Sequence, residues 1–507
     1  MEDRILIWIT NAFFNLGLAR SLQKKSQFKL FAISNADGNG SDYLKNQSIV
    51  NFEKIWVCPD KLEESDGEPD MDYLEEFERK YQISLWKIIY GDRRLIKENQ
   101  RYYKFSRKEH LLIAEQVCKL FEKILQESKP NYLVLPQSIG YNDHLLYLMC
   151  KALKIKVIML RTSRVGFRLA LSENVEEFDE IDIQGKQFSK EISIEDIQKF
   201  FGKFSAIKQV ENMEPDFKVS KIEKIKAFLE FLMTGNSSNE HFVNYGKTRV
   251  SLLKKGSGIK HRIRKNVLKK FMNENFLKEM KNEKFVYFPF HKEPERMLDI
   301  GAPYFADQKS VAKMIAKSLP IDFKLYVKDH PAQLKITTGW KRSKKYYQEL
   351  LELPNVEIIH PSVKSKDIIE KCSCVFTING TTTLETAIYN KPSFILTDTD
   401  FVKLPSIIKL DKLQDFSSEL KQALKTKVDI PSLSEYIDEL DKNSFKIDVN
   451  DLKQDFFRTF PYPGFLKWPE FPPKKVEKYL DKHEEVFDML ADKHINKIKK
   501  FKQLEIT

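Results

Sequence analysis

The chain has 507 residues, 42% hydrophobic and 31% charged; that is enough apolar material for substantial cores and too much length for one ordinary domain. A formal charge of +12 excludes an acidic solvating chain and favours an anionic partner: nucleotide, nucleic acid or membrane surface. Five cysteines with no Cys-x-x-Cys spacing exclude a disulfide framework and a zinc module, and they fit a reducing cytoplasm.

The opening MEDRILIWIT lacks a basic n-region and a small-residue cleavage site, so it predicts a strand rather than a signal peptide. No apolar run approaches the ~20 residues of a bilayer span. The expected location is the cytoplasm, with at most peripheral contact on the inner face of the membrane.

The pattern then predicts a strand over Ile5–Ile9, a helix over Gly17–Lys25 and strands at Phe28–Ser34 and KIWVCP. A helix over Lys108–Ser128 follows, ended by Pro130, then strand NYLVLP, helix His144–Leu153 and strand Lys156–Leu160. Strands alternating with helices predict a doubly wound α/β domain whose ligand edge lies at Thr10–Asn15, Asn35–Gly40, Gln137–His144 and Arg161–Arg168. A mostly helical stretch comes next. Ten Lys and Arg fall between Lys247 and Lys270 with no acidic residue, interleaved with Val250, Leu253 and Leu268; this predicts a basic face suited to anionic lipid.

Alternation resumes at FVYFPF. Strands are predicted at Phe285–Phe290, Lys324–Lys328, Val356–Ile359, Cys374–Ile378, Ser393–Leu396 and Ser406–Leu410, and helices at Ser310–Ser318, Tyr346–Leu351, Ser365–Lys371 and Thr382–Tyr389. The predicted fold is α/β, two doubly wound Rossmann-like domains facing across a cleft as in GT-B glycosyltransferases. Residues 1–205 form the N-terminal, acceptor-side domain and 206–283 a helical basic insert. Residues 284–430 form the C-terminal nucleotide-sugar domain, and 431–507 a helical tail packing back on the first.

Three motifs in the second half carry chemistry. CVFTINGTTTLETAIYNKPSFIL runs from a strand through Asn379 and Gly380 into a helix opened by Thr381, Thr382 and Thr383. Amides and hydroxyls converge there on a phosphate, and Glu385 lies one turn in, within reach of ribose hydroxyls. The same letters also spell an ordinary capping box from Thr382 to Glu385. Lys328-Asp329-His330-Pro331 leaves the strand KLYV, and Lys328 and His330 are candidate phosphate ligands. Both groups are expected at adjacent strand ends of one sheet. In YFPFHKEPERMLDIGAPYFADQ, the loop residues His291, Glu293, Glu295, Arg296 and Gln308 are candidates for the cleft.

Together FPFHKEPE, the downstream ADQ, VKDHP and NGTTTLETAIYNKP, spanning about Phe285–Leu410, resemble the bacterial capsular or surface polysaccharide biosynthesis proteins, which include the capsule Kdo transferases and neighbours of the bacterial sialyltransferases. The resemblance implies that the C-terminal domain holds a nucleotide-activated sugar. It places His330 and Pro331 at the donor phosphate, Gly380 and Thr381–Thr383 at the same anion, and Glu385 beneath the ribose. The family often has Glu at Asp329 and Ser-Thr at Gly380-Thr381. KYQISLWKIIYGDRR and SRVGFR extend the likeness more diffusely into the N-terminal half, where Arg93, Arg164 and Arg168 would face an anionic acceptor or a donor carboxylate. Asp143, His144 and Asp37 are the available general bases.

The function expected is transfer of a sugar from a nucleotide donor, CMP-linked by the same resemblance, to a glycan or glycolipid acceptor. No cofactor or metal is required, since the chain has no evident Asp-x-Asp and cationic groups can neutralise the leaving phosphate. Alternatives are a UDP-sugar 2-epimerase of the same fold, or a non-catalytic protein binding membrane or nucleic acid through the basic insert. No nucleic-acid partner is expected, because RRM, KH, helix-turn-helix and zinc signatures are missing.

Overall fold

Strands buried on both faces must be apolar throughout, and RILIWI, KLFAIS, YLVLP and KVIMLRT are nearly so. In the computed structural model they become β1 (Arg4–Ile9), β2 (Lys29–Ser34), β4 (Tyr132–Pro136) and β5 (Lys156–Thr162) of one sheet, with β3 at Lys54–Val57 and β6 at Arg168–Ser172. The structure describes residues 2–504 except 11–12, 37–38, 59–66, 93–94, 97–104, 138–139, 164–167, 180–219, 221, 223–224, 227–256, 294, 335–341, 426–429, 448 and 462–468. The strand order is β6-β5-β4-β1-β2-β3, parallel from β3 to β5, with β6 antiparallel to β5 and a tail strand, Phe445–Lys446, antiparallel to β6.

Period-two alternation divides the core. Leu6, Trp8 and Ile33 face the helix Arg107–Ser128 through Val117 and Phe121, whereas Ile5, Ile7 and Ile9 join Leu16 of the helix Phe14–Lys25 and Phe487, Leu490 and Ile498 of the C-terminal helix Glu484–Leu504. Those two helices meet closely enough that a Cβ on Gly17 would lie 2.5 Å from the Phe487 ring. Arg20 with Asp481 (2.6 Å) and Lys25 with Asp492 (2.7 Å) fasten the rim. Gly17→Ala is therefore expected to destabilise by about 1–3 kcal/mol through overpacking, despite Ala's better helix propensity. A urea midpoint equal to or above that of the parent would contradict this packing.

The second sheet comprises β7 (Phe285–Pro289), β8 (Lys324–Lys328), β9 (Val356–Ile359), β10 (Cys374–Thr377), β11 (Ser393–Ile395) and β12 (Ile407–Lys409). Its order is β12-β11-β10-β7-β8-β9, parallel throughout. In each sheet the first three strands step outward and the fourth returns to the other side of the first. Each therefore has a crevice at its reversal point, β1/β4 in one and β7/β10 in the other, where doubly wound sheets bind ligands.

Most of the 206–283 insert lies outside the described residues. Its helix Ser257–Asn275 belongs to the second domain, because Leu268, Phe271 and Met272 enter that core. Leu268 is thus unavailable to a lipid face, although Lys265, Val267, Lys269 and Lys270 are exposed; residues 247–256 lie outside the described set. Among the described residues no helix is long and apolar enough to cross a membrane.

Candidate functional site

The last residue of β8 and the one after it project to opposite sides of the sheet. Lys328 turns toward Tyr287 and Ser365, its Nζ donating to Ser365 Oγ at 3.2 Å. Asp329 turns the other way, onto Arg342 and the hydroxyl of Tyr347. Beside Lys328 opens a cavity of about 640 Å³ whose wall comes from the ends of β7, β8, β9 and β10: His291 and Glu295, Lys328 and His330, Pro361 to Lys366, and Asn379 to Thr382 with Glu385. All of its lining residues belong to the second domain, so it sits at the β7/β10 reversal of one sheet rather than between the domains.

His291 closes the reversal point. Its Nε2 accepts from the Asn379 N–H at 3.3 Å, which assigns the ring proton to Nδ1, 3.6 Å from the Glu295 carboxylate. Gly380 follows because a Cβ there would lie 2.5 Å from Thr377 Oγ1. The helix Thr382–Ile388 is preceded by Thr381, which makes no side-chain cap bond, so the capping-box reading does not describe this turn. Thr381 and Thr382 line the cavity. Thr383 does not: it is fully buried and its hydroxyl donates to the Gly380 carbonyl at 3.0 Å. The Thr group and the Lys328–His330 group come from β10 and β8, with β7 between them, instead of from adjacent strands; the cavity is correspondingly wider.

Burial sets the charges of this wall. It pushes the Lys328 ammonium down to about 8, against the pull of Glu385 and Asp329. It lifts the Glu385 carboxyl to about 7, with Lys328 opposing. His330 is lowered to about 4 by burial, Glu295 working the other way, so it is a neutral imidazole near pH 7 and takes part as a hydrogen-bonding group rather than as a cation.

Behind the wall lies a buried polar network. The Arg342 guanidinium, 2% exposed, pairs with Asp329 and with Glu293 (3.1 Å), donates to the His291 carbonyl at 2.8 Å and sits over the Phe290 ring. Gln308 receives the His291 N–H at 2.6 Å and donates to Glu293, and Gln333 receives the Glu293 N–H at 2.7 Å. Glu293 and Gln308 are therefore internal braces of the loop, a correction to their placement as cleft ligands. Arg296 is also spent elsewhere, on Glu176 of the first domain at 2.7 Å. Ser365 and Arg342 are not among the residues the sequence singles out; HPSVKSKD after β9 has the same strand-end position that flags the other loops and points to Ser365.

In the first domain Asp143 is buried and accepts from the Gly140 N–H at 2.9 Å, fixing a helix start, which removes it as a general base. Arg168 is likewise structural. Its guanidinium pairs with Asp441 (2.7 Å) and donates to the Asp441 and Ser444 carbonyls, joining β6 to the tail, so it faces no ligand. Asp37, Arg93 and Arg164 lie outside the described residues. His144 borders a second cavity of about 330 Å³ between the domains.

Two doubly wound parallel domains, with a cationic, hydroxyl-lined cavity at one reversal point, define a GT-B type of protein. Residues 196–417 match the family model for the capsule polysaccharide biosynthesis protein, which confirms the family resemblance over the C-terminal domain. No curated protein gives a significant match. Similar solved structures include the UDP-GlcNAc 2-epimerase of Methanocaldococcus jannaschii (14% identity, covering 87% of this chain and 99% of that one, TM-score 0.23). The Thermosulfurimonas dismutans KpsC β-Kdo 2,7 transferase is also similar (13%, 74% and 96%, 0.30), as is the E. coli ADP-heptose LPS heptosyltransferase II (10%, 86% and 99%, 0.21). At these scores the likeness does not reach individual residues.

Proposed function

We propose that the protein is a glycosyltransferase that holds a nucleotide-activated sugar, CMP-linked by preference, in the 640 Å³ cavity and transfers the sugar to a surface or capsular glycan. The observation that carries this reading is the convergence of Lys328, His330, Thr381, Thr382 and Glu385 on one cavity inside the stretch that matches the capsule family. In transfer, a bond forms from an acceptor oxygen to the anomeric carbon while the bond from that carbon to the donor phosphate oxygen breaks. The bonding pair stays on the phosphate, and the acceptor hydroxyl gives its proton to a base of the first domain across the cleft. Lys328 is charged below about 8 and meets that developing charge, and a neutral His330 can donate an N–H to the same oxygen. In this reading Glu385, which lines the same cavity, takes the ribose hydroxyls. These groups neutralise the leaving phosphate without a metal in our scheme.

Calorimetric titration with CMP, UDP, GDP and CDP tests the reading, with CMP expected to bind tightest. His330→Ala is expected to weaken that binding by about tenfold or more, the loss of one charge-assisted bond, while circular dichroism stays unchanged. Unaltered nucleotide affinity in this variant would overturn the donor-site assignment. Interconversion of free UDP-sugar without an acceptor would identify an epimerase instead. Activity lost on chelation and restored by Mg²⁺ would overturn the metal-independent form.

A further inference from the structure

After β6 the chain makes a turn that its own side chains close. The Asp179 carboxylate accepts from the Glu173 N–H at 2.5 Å and from the Asn174 side-chain amide at 3.1 Å, while the Ser172 hydroxyl donates to the Glu177 carbonyl at 2.7 Å. Such a network fixes the shape of the turn. Between these ties, Glu176 and Phe178 leave the first domain and meet the second at two separate places.

Glu176 meets the loop that follows β7. Its carboxylate pairs with Arg296 Nη2 at 2.7 Å, the two side chains 24% and 10% exposed. Arg296 opens the single-turn helix Arg296–Asp299, and its neighbours Glu295 and Met297 both line the nucleotide cavity. The Glu295 carboxylate lies 3.6 Å from Nδ1 of His291, whose Nε2 receives the Asn379 N–H. A chain of contacts therefore runs from a first-domain carboxylate to the backbone that leads into Thr381 and Thr382. Gly301 shortens the same path: a Cβ there would lie 3.1 Å from Glu176 Oε1 and 3.2 Å from Asn379 Nδ2.

Phe178 meets the opposite wall. Its ring packs with Leu384, Ala387 and Ile388 of the helix Thr382–Ile388, and Ile388 itself lines the cavity. The Phe178 N–H donates to Asp400, whose carboxylate also lies 3.5 Å from Arg161 of β5. The Arg161 guanidinium in turn sits 4.3 Å over the Phe178 ring.

A seam that only held two domains together could bury its contacts anywhere along their faces. Here one rigid turn grips the β7 loop with one side chain and the helix after β10 with the next but one, and those two elements form opposite walls of one cavity. Groups that meet a phosphate must be held to a fraction of an ångström, so whatever sets the spacing of the walls sets the affinity.

We infer that the turn at residues 173–179 is a strut by which the first domain sets the geometry of the nucleotide cavity in the second, with Glu176 and Phe178 as positioning residues. Neither lines the cavity; each acts through residues that do or that adjoin those that do. The ligand's identity rests on the donor reading above, whereas the contact chain to His291 does not.

The full-length chain is titrated calorimetrically at low temperature with CMP, or with whichever of UDP, GDP and CDP binds tighter. In parallel, the ring nitrogens of ¹⁵N-histidine-labelled protein are read by NMR, the His291 signal being assigned by its loss in His291→Gln. Glu176→Gln keeps the side-chain shape and removes the charge, and Arg296→Gln breaks the same pair from the other side. Each is expected to weaken nucleotide binding about tenfold, and the double variant no more than either alone, because the two residues act as one link. Phe178→Ala is expected to weaken it by a similar factor through the other wall. In the parent His291 is expected as the Nδ1–H tautomer, shifting toward a tautomer mixture in both charge variants. Affinity within about twofold of the parent in the two charge variants, additive losses in the double variant, or an unmoved His291 signal overturns the inference. So does a lowered urea midpoint with affinity and His291 both unchanged, which marks the turn as a seam contact only. If the parent binds none of the four nucleotides, the donor reading falls and the His291 signal decides alone: a shift in Glu176→Gln supports the strut, and an unchanged signal overturns it.

Discussion

Lys328→Met is expected to lower nucleotide affinity by about 30- to 1000-fold and, at the same time, to make the ligand-free protein more stable. The first effect follows from position. Lys328 is 3% exposed and its ammonium lies inside the cavity wall, so a phosphate brought there gains a charge-assisted interaction in a poorly solvated site, about 2–4 kcal/mol once the unpaired phosphate is counted. The second follows from the same burial. An ammonium lowered from 10.5 to about 8 binds its proton more weakly folded than unfolded, so below pH 8 it opposes folding by up to about 3 kcal/mol. Methionine keeps the stem and removes that cost.

The proton balance gives an independent check. A bound phosphate raises the Lys328 pKa by attraction and the Glu385 pKa, already about 7, by repulsion. A group whose pKa is raised on binding supports binding below its free pKa and loses that support as pH rises through the bound value. Affinity should therefore fall from about pH 7 upward, with protons taken up in calorimetry between pH 7 and 8.5. Met at 328 removes one titrating partner and leaves Glu385 more firmly protonated in the free protein, so the uptake should shrink and move to higher pH. Unchanged affinity together with unchanged uptake would remove Lys328 from the site.

Much of the architecture was legible because parallel strands buried on both faces must be apolar runs. KLYVK and VEII were read to the residue as β8 and β9, and SKDIIEK as the following helix. The positions of Lys328 and His330 at a strand end were legible for the same reason. β6 was not. It is a short antiparallel strand opening on Arg168, and its outer partner, Phe445–Lys446, lies more than 270 residues away, so no local pattern announces it. The roles of Glu293 and Gln308 were misread because a charged loop looks solvated in sequence, and only tertiary packing buries it. Arg342 stands among basic residues, KRSKK, with nothing local to mark it as the one turned inward.

That arginine underlies the largest stability effect we expect. Arg342→Met should cost about 3–5 kcal/mol, the penalty of removing one partner from a buried ionic cluster, because Asp329 and Glu293, both nearly inaccessible, would remain without their cation. Asp329→Asn should cost less, since Glu293 at 3.1 Å still compensates the guanidinium and the asparagine carbonyl can accept from it. The two should be strongly non-additive in a double-mutant cycle on urea unfolding, as Asn at 329 removes part of the uncompensated charge that makes Arg342→Met severe. The function should follow the loop. Arg342 holds the His291 carbonyl at 2.8 Å, and with Tyr347 it anchors Asp329, the residue between Lys328 and His330. Arg342→Met should therefore weaken nucleotide binding even at low temperature, where the domain remains folded. If its stability cost were under about 1 kcal/mol, or if the costs of the two substitutions simply added, the cluster would not be the brace that sets His291 and His330 around the cavity.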